Sequence, residues 1–159
     1  MSAEHQFKEQ VIAHFEQLSE ALQARLSTII EYEYPQEVAT LAFEVAVDGF
    51  SSGFPVKVYF LDKDNQAHFI CVDGKAEAGL ASASNLLTIE HVYPDELEDE
   101  YTNMDDSLDP WDIATTVLIQ WFSTCWLAAT GHTCMLKANI APHDSHFVFN
   151  LMDLRWQAR

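Results

Sequence analysis

The sequence predicts an α+β domain. It should have a long N-terminal helix, a mainly antiparallel sheet made of a three-strand meander plus a C-terminal hairpin, and a buried central helix at about residues 110–130. Three observations carry this. An apolar stripe at helical spacing runs from Phe7 to Ile29. Three short runs of period two follow, separated by turn residues. An uncharged run over 113–136 opens behind a proline and contains a glycine stop.

The first helix should cover residues 3 to about 31. Phe7, Val11, Phe15, Leu18, Leu22, Leu26 and Ile29 recur at steps of three and four, which places them on one face. Ser2 is the expected N-cap. Pro35 ends the helix, because residues before a proline avoid the helical region. The stripe is nearly heptad in spacing, so it suits a helix lying across a sheet and also a homodimer made through this helix.

Residues 40–48 alternate, with Leu41, Phe43, Val45 and Val47 on one side and Glu44 and Asp48 on the other. Residues 55–61 repeat the pattern with Val56, Val58 and Phe60 inward, and 67–72 form the third strand with Gly74 closing it. Short turns between them make an antiparallel meander. Residues 75–85 are small and Gly/Ala/Ser-rich, and the sequence does not decide their structure; 86–93 can be drawn as a fourth strand stopped by Pro94. Residues 95–109 should form an exposed loop or a short acidic turn of helix.

The central helix has a written start. Asp109 can accept a hydrogen bond from a first-turn amide, Pro110 falls where a missing N–H costs nothing, and Asp112 favours the positive end of the dipole. Gly131 is the expected left-handed C′ residue. A body so uniformly apolar belongs in a core. A membrane span is the rival, diluted by Thr116, Gln120, Ser123 and Thr124 and lacking a basic flank. Residues 133–141 and 146–156 then read as a hairpin around 142–145. Val148, Asn150, Met152, Leu154 and Trp156 should share one face of its last strand, and Phe147, Phe149 and Leu151 the other, as in a strand covered on both sides.

A chain of 159 residues, 48% apolar, is expected to fold as one domain spanning 1–159. Its net charge of −17 argues against nucleic acid or an anionic membrane as partner and permits a basic protein partner. The charge is local. Residues 90–112 hold ten acids and no Lys or Arg, whereas the other fifteen acids are set against all eight basic residues. Three cysteines make no paired framework, and the N-terminus lacks the basic and apolar regions of a signal peptide, so a cytoplasmic protein is expected.

The candidate partner-binding residues lie in that acidic run: Asp95, Glu96, Glu98, Asp99, Glu100, Tyr101, Asp105 and Asp106, with Trp111 as an exposed aromatic anchor. Packed carboxylates steer a cationic partner, and Leu97, Tyr101, Met104 and Leu108 among them offer apolar contact. A calcium loop is disfavoured, because the required glycine and oxygen spacing are missing. His132, Cys134, His143 and His146 fall close together in sequence and suit zinc by ligand type, but their spacing matches no standard pattern. A two-strand hairpin would separate Cys134 from His143. Cys71 and Cys125 sit in apolar runs, and no glycine-rich phosphate loop occurs. No metal, cofactor or catalytic set is therefore assigned.

Three functional classes remain. The first is a non-enzymatic acidic binding protein that sequesters or neutralises a basic protein, in the manner of an immunity protein or antitoxin. The second is a small acidic secretion chaperone, which shares the general layout, size and acidity. The third is a metal-binding protein or hydrolase using the cluster at 132–146.

Overall fold

The computed structural model describes residues 2–72, 75–78 and 85–159, with backbone alone at 68–72 and 75–78. Gly74 and most of the undecided segment after it, 79–84, lie outside the described residues. The architecture is α+β. Seven strands among the described residues form one sheet, in the order β4-β3-β2-β1-β5-β6-β7, with helices on one of its faces.

The N-terminal stripe forms two helices rather than one long one: α1 (Ala3–Glu16) and α2 (Ser19–Glu31). Ser2 caps α1 by accepting from the His5 amide. Neither glycine nor proline causes the break at Gln17 and Leu18. Trp121 from the central helix stacks on Phe15 at 4.7 Å and donates its indole N–H to Ser19 Oγ at 2.8 Å. The side chain that opens α2 is thus fixed from outside the helix pair. Phe7, Val11, Phe15, Leu22, Leu26 and Ile29 are all buried within the chain, so the stripe offered for dimerisation is already covered.

β1 (Thr40–Val45), β2 (Val56–Leu61), β3 (Ala67–Val72) and β4 (Lys75–Ala78) form the meander, each antiparallel to the next. Leu41, Phe43, Val45, Val56, Val58 and Phe60 point to the helices, as the alternation requires. Residues 86–93 do not form the fourth strand drawn for them. Leu86 and Val92 donate their amides to Val56 O and Phe50 O, and Leu86, Val92 and Tyr93 dock into the core. These separate anchor points hold the segment irregular.

α3 (Asp95–Met104) stands where an exposed loop or a short acidic turn of helix was expected, and it runs to 10 residues. α4 (Pro110–Ala128) is the central helix, and Asp109 caps it by accepting from the Asp112 amide at 3.1 Å. Phe122 and Trp126 of α4 pack on Phe43 of β1. The C-terminal stop differs from the expectation. Thr130, not Gly131, is left-handed, with φ of 67°. Gly131 opens a 3₁₀ turn (Gly131–Thr133) and lies against the Trp126 indole, where a Cβ would come within 2.2 Å of the ring. Its role is close approach.

β5 (Lys137–Pro142) returns beside β1 as the parallel partner, with Thr40 opposite Lys137 and Phe43 opposite Ile140. The last predicted strand is two strands, β6 (Phe147–Asn150) and β7 (Arg155–Ala158). Asn150 Oδ1 accepts from the amides of Met152 and Asp153 and turns the chain back. Trp156 therefore faces Phe149, with ring centroids 5.5 Å apart, instead of sharing a face with Val148. The face that carries Phe147 and Trp156 is left uncovered here, with Phe147 56% and Trp156 50% exposed, while Val148 on the other face is buried.

Candidate functional site

The acidic segment is held at the surface by a buried aromatic seam. Tyr101 of α3 meets Phe7 of α1 edge-on at 5.6 Å, and Tyr93 meets the same ring at 6.0 Å. Tyr93 also stacks on Phe50 at 5.9 Å. With Leu97 and Tyr101 turned inward, helical periodicity turns Asp95, Glu96, Asp99 and Glu100 outward, and all four are exposed. Asp95 and Glu96 also lie in the first turn, where negative charge is favourable.

The remaining candidates serve different purposes. Glu98 is the internal tie of the segment: the Tyr93 hydroxyl donates to Oε2 at 2.5 Å and the Trp111 indole N–H donates to Oε1 at 3.3 Å. Burial first, and the Glu98 hydrogen bond second, push the Tyr93 hydroxyl far above its ordinary range, so Tyr93 remains a donor. Asp105 accepts from the Ser107 hydroxyl at 2.6 Å and from its amide at 3.0 Å. These bonds, the hydroxyl first, hold its carboxyl below the usual range. Asp106 is exposed. Tyr101 is 7% exposed and is withdrawn from the candidate surface by its packing on Phe7, as Leu97 and Leu108 are by burial.

Two large apolar side chains remain exposed within the acids: Met104 at 58% and Trp111 at 46%. The Glu98 bond fixes the indole's orientation. Among the described residues, no Lys or Arg forms an ion pair with the acids of 90–112. The sequence locates this surface through its charge run. It does not foresee the tie through Glu98, because residues 93, 98 and 111 meet only once the helices pack.

The histidines and cysteine of 132–146 do not converge. His143 Nδ1 lies 2.9 Å from Glu44 Oε1, across from β1, and its Nε2 lies 3.2 Å from Asp144. Among the described residues, no group of three or more His, Cys, Asp or Glu is placed to hold a metal. Burial pushes the Cys125 thiol up, opposed by hydrogen bonds with Ser19 and Gln23, and burial does the same at Cys134. Raised thiols are poor nucleophiles. The Cys71 side chain lies outside the described residues.

A second feature was not singled out from the sequence. On the face of the sheet away from the helices, a cavity of about 440 Å³ lies over Ala42 and Asn139. Tyr59 and Leu61 wall it on the β2 side, and Val148, Asn150 and Gln157 on the β6–β7 side. The signal available in the sequence was the polar phase of the alternating strands: Thr40, Glu44, Tyr59, Lys137 and Asn139.

No family model, no curated protein and no solved structure matches this chain. Among the described residues, no helix is long and apolar enough to cross a membrane.

Proposed function

We propose that this chain is a non-enzymatic, cytoplasmic binding protein that sequesters or neutralises a basic protein partner, as immunity proteins and antitoxins do. The observation that carries the reading is the exposed face of α3. Asp95, Glu96, Asp99 and Glu100 stand together there without basic partners among the described residues, beside Met104 and Trp111. Clustered carboxylates raise encounter rates by about 10-fold to 10³-fold at low salt. Exposed aromatic and apolar anchors then supply the contact that keeps a complex together. The sparse, odd cysteine count supports a reducing compartment.

The test compares the native chain with a variant carrying Asp95→Lys, Glu96→Lys, Asp99→Lys and Glu100→Lys. Both are used to capture partners from native lysate, and association is followed at two salt concentrations. The native chain should retain a basic protein whose association slows as salt rises; the variant should associate at least about tenfold more slowly with a flatter salt dependence. Equal capture and equal kinetics would remove α3 from the interface.

One observation favours the second reading, a small acidic secretion chaperone. Phe147, Leu154 and Trp156 leave apolar surface on the β6–β7 hairpin. That reading requires a dimer, so a monomeric mass in solution would count against it.

A further inference from the structure

We infer that the hollow on the open face of the sheet binds a small organic anion, a carboxylate or a phosphate monoester with an apolar body, its charged end taken by Lys137, Asn139 and Tyr59. The acidic face of α3 plays no part in this site.

The strand register explains why a hollow forms. Ala42 of β1 sits between Tyr59 and Asn139, so a methyl group marks the floor where large side chains rise on either side. Val148 and Asn150 continue the wall on β6, and Gln157 on β7. The volume of about 440 Å³ lies within the range that holds small ligands, roughly 300–1,000 Å³.

Basic residues reach this face from three strands and the C-terminal end, while Asn65 at the rim belongs to the turn that carries Asp62 and Asp64. By register, Lys57 pairs with Glu44, Lys137 with Thr40 and Arg155 with Asn150, which puts all three on the open face. Arg159 lines the hollow from beyond β7. Four of the eight basic residues thus lie on this face, and two of them, Lys137 and Arg159, line the hollow. The acid of the hollow, Glu44, is engaged by His143 at 2.9 Å. It stands four residues along β1 from the position paired with Lys137, about 13 Å away. An anion on Lys137 is therefore separated from it, whereas Tyr59 stands within reach of the Glu44 charge and contributes less.

The donors are uncommitted. Among the described residues, the side chains of Lys137, Asn139, Tyr59 and Arg159 have no hydrogen-bond or ion-pair partner. Gln157 accepts from Asn150 through Oε1 at 3.2 Å, which leaves its N–H₂ donors to the cavity it lines. Burial first, and the Glu44 charge second, raise the Tyr59 hydroxyl above its usual range, so it stays neutral with an O–H to donate. Ala42, Leu61 and Val148 give the apolar walls that would hold the body of the ligand.

The probes are benzoate, phenyl phosphate and inorganic phosphate, each titrated into the full chain and followed by amide and side-chain N–H resonances. Benzoate or phenyl phosphate should give saturable shifts at Lys137, Asn139 and Gln157. The tighter of the two identifies the charged group as carboxylate or phosphoryl, and inorganic phosphate should bind more weakly for want of a body. Lys137→Gln, at an exposed position, should weaken binding about tenfold without altering the rest of the spectrum. Tyr59→Phe should weaken it less. Shifts that never saturate, that scatter over other faces, or that persist unchanged in Lys137→Gln would overturn the site.

Discussion

Gly131 and Thr130 divide a task that a single glycine was expected to perform. Thr130 takes the left-handed conformation despite its branched Cβ, which costs of order 1–3 kcal/mol. Gly131 cannot exchange roles with it, because the Trp126 indole occupies the space of any side chain there. Gly131→Ala is therefore expected to destabilise the fold by about 1–3 kcal/mol, through displacement of a fully buried tryptophan. Thr130→Gly should relieve strain and stabilise by up to about 1 kcal/mol. Denaturant midpoints of the two variants check both signs. Glu98 offers a second test at this scale. Glu98→Ala leaves the buried Tyr93 hydroxyl without its acceptor and should cost about 1–3 kcal/mol. Adding Tyr93→Phe should recover much of that loss. A double-mutant cycle showing independent effects would refute the tie.

At the scale of elements, α1 lies against the irregular segment before α3 through His14, His91 and Tyr93. His14 meets Tyr93 edge-on at 6.4 Å. Burial first, and His91 second, hold the His14 imidazole below its ordinary value of 6.5. Its protonated form is thus disfavoured in the folded state. The stability this provides is complete above pH 6.5 and is lost as pH falls toward and through the folded value. The window of Asp105 lies lower, below 3.8, so the two do not overlap in assignment. Unfolding midpoints measured between pH 7.5 and 5.5 should fall for the native chain and fall less for His14→Gln. Parallel curves would exclude His14. Elements were legible where local pattern decides. The limits of β3 and the starts of α1 and α4 were all readable, because period, capping residue and proline are local signals. The break in α1–α2 was not, since it depends on Trp121 reaching Ser19 across 102 positions of sequence.

For the whole molecule, net charge is the dominant long-range term. A chain at −17 repels itself, most strongly along α3, where acids lack basic partners among the described residues. Moderate salt shortens the reach of that repulsion to about 8 Å at physiological strength. The thermal midpoint should therefore rise as NaCl is added from low ionic strength, and the fourfold Lys variant of α3 should show a smaller rise. A midpoint insensitive to salt in both would show that the repulsion is already compensated within the fold.

The sequence by itself determined the class of fold, the solvent and core phases of β1 and β2, the cap of the central helix, and the concentration of acid before it. Each of these depends on neighbours within a few residues, where spacing alone decides which side chains share a face. Only the tertiary structure decided which of those acids stay free. It turned Glu98 inward to Tyr93 and Trp111, withdrew Tyr101 against Phe7, and split the final strand at Asn150. It also raised a hollow over Ala42 by setting β5 beside β1. Those outcomes depend on groups far apart in the chain, and their positions are fixed only when the apolar faces have closed on one another.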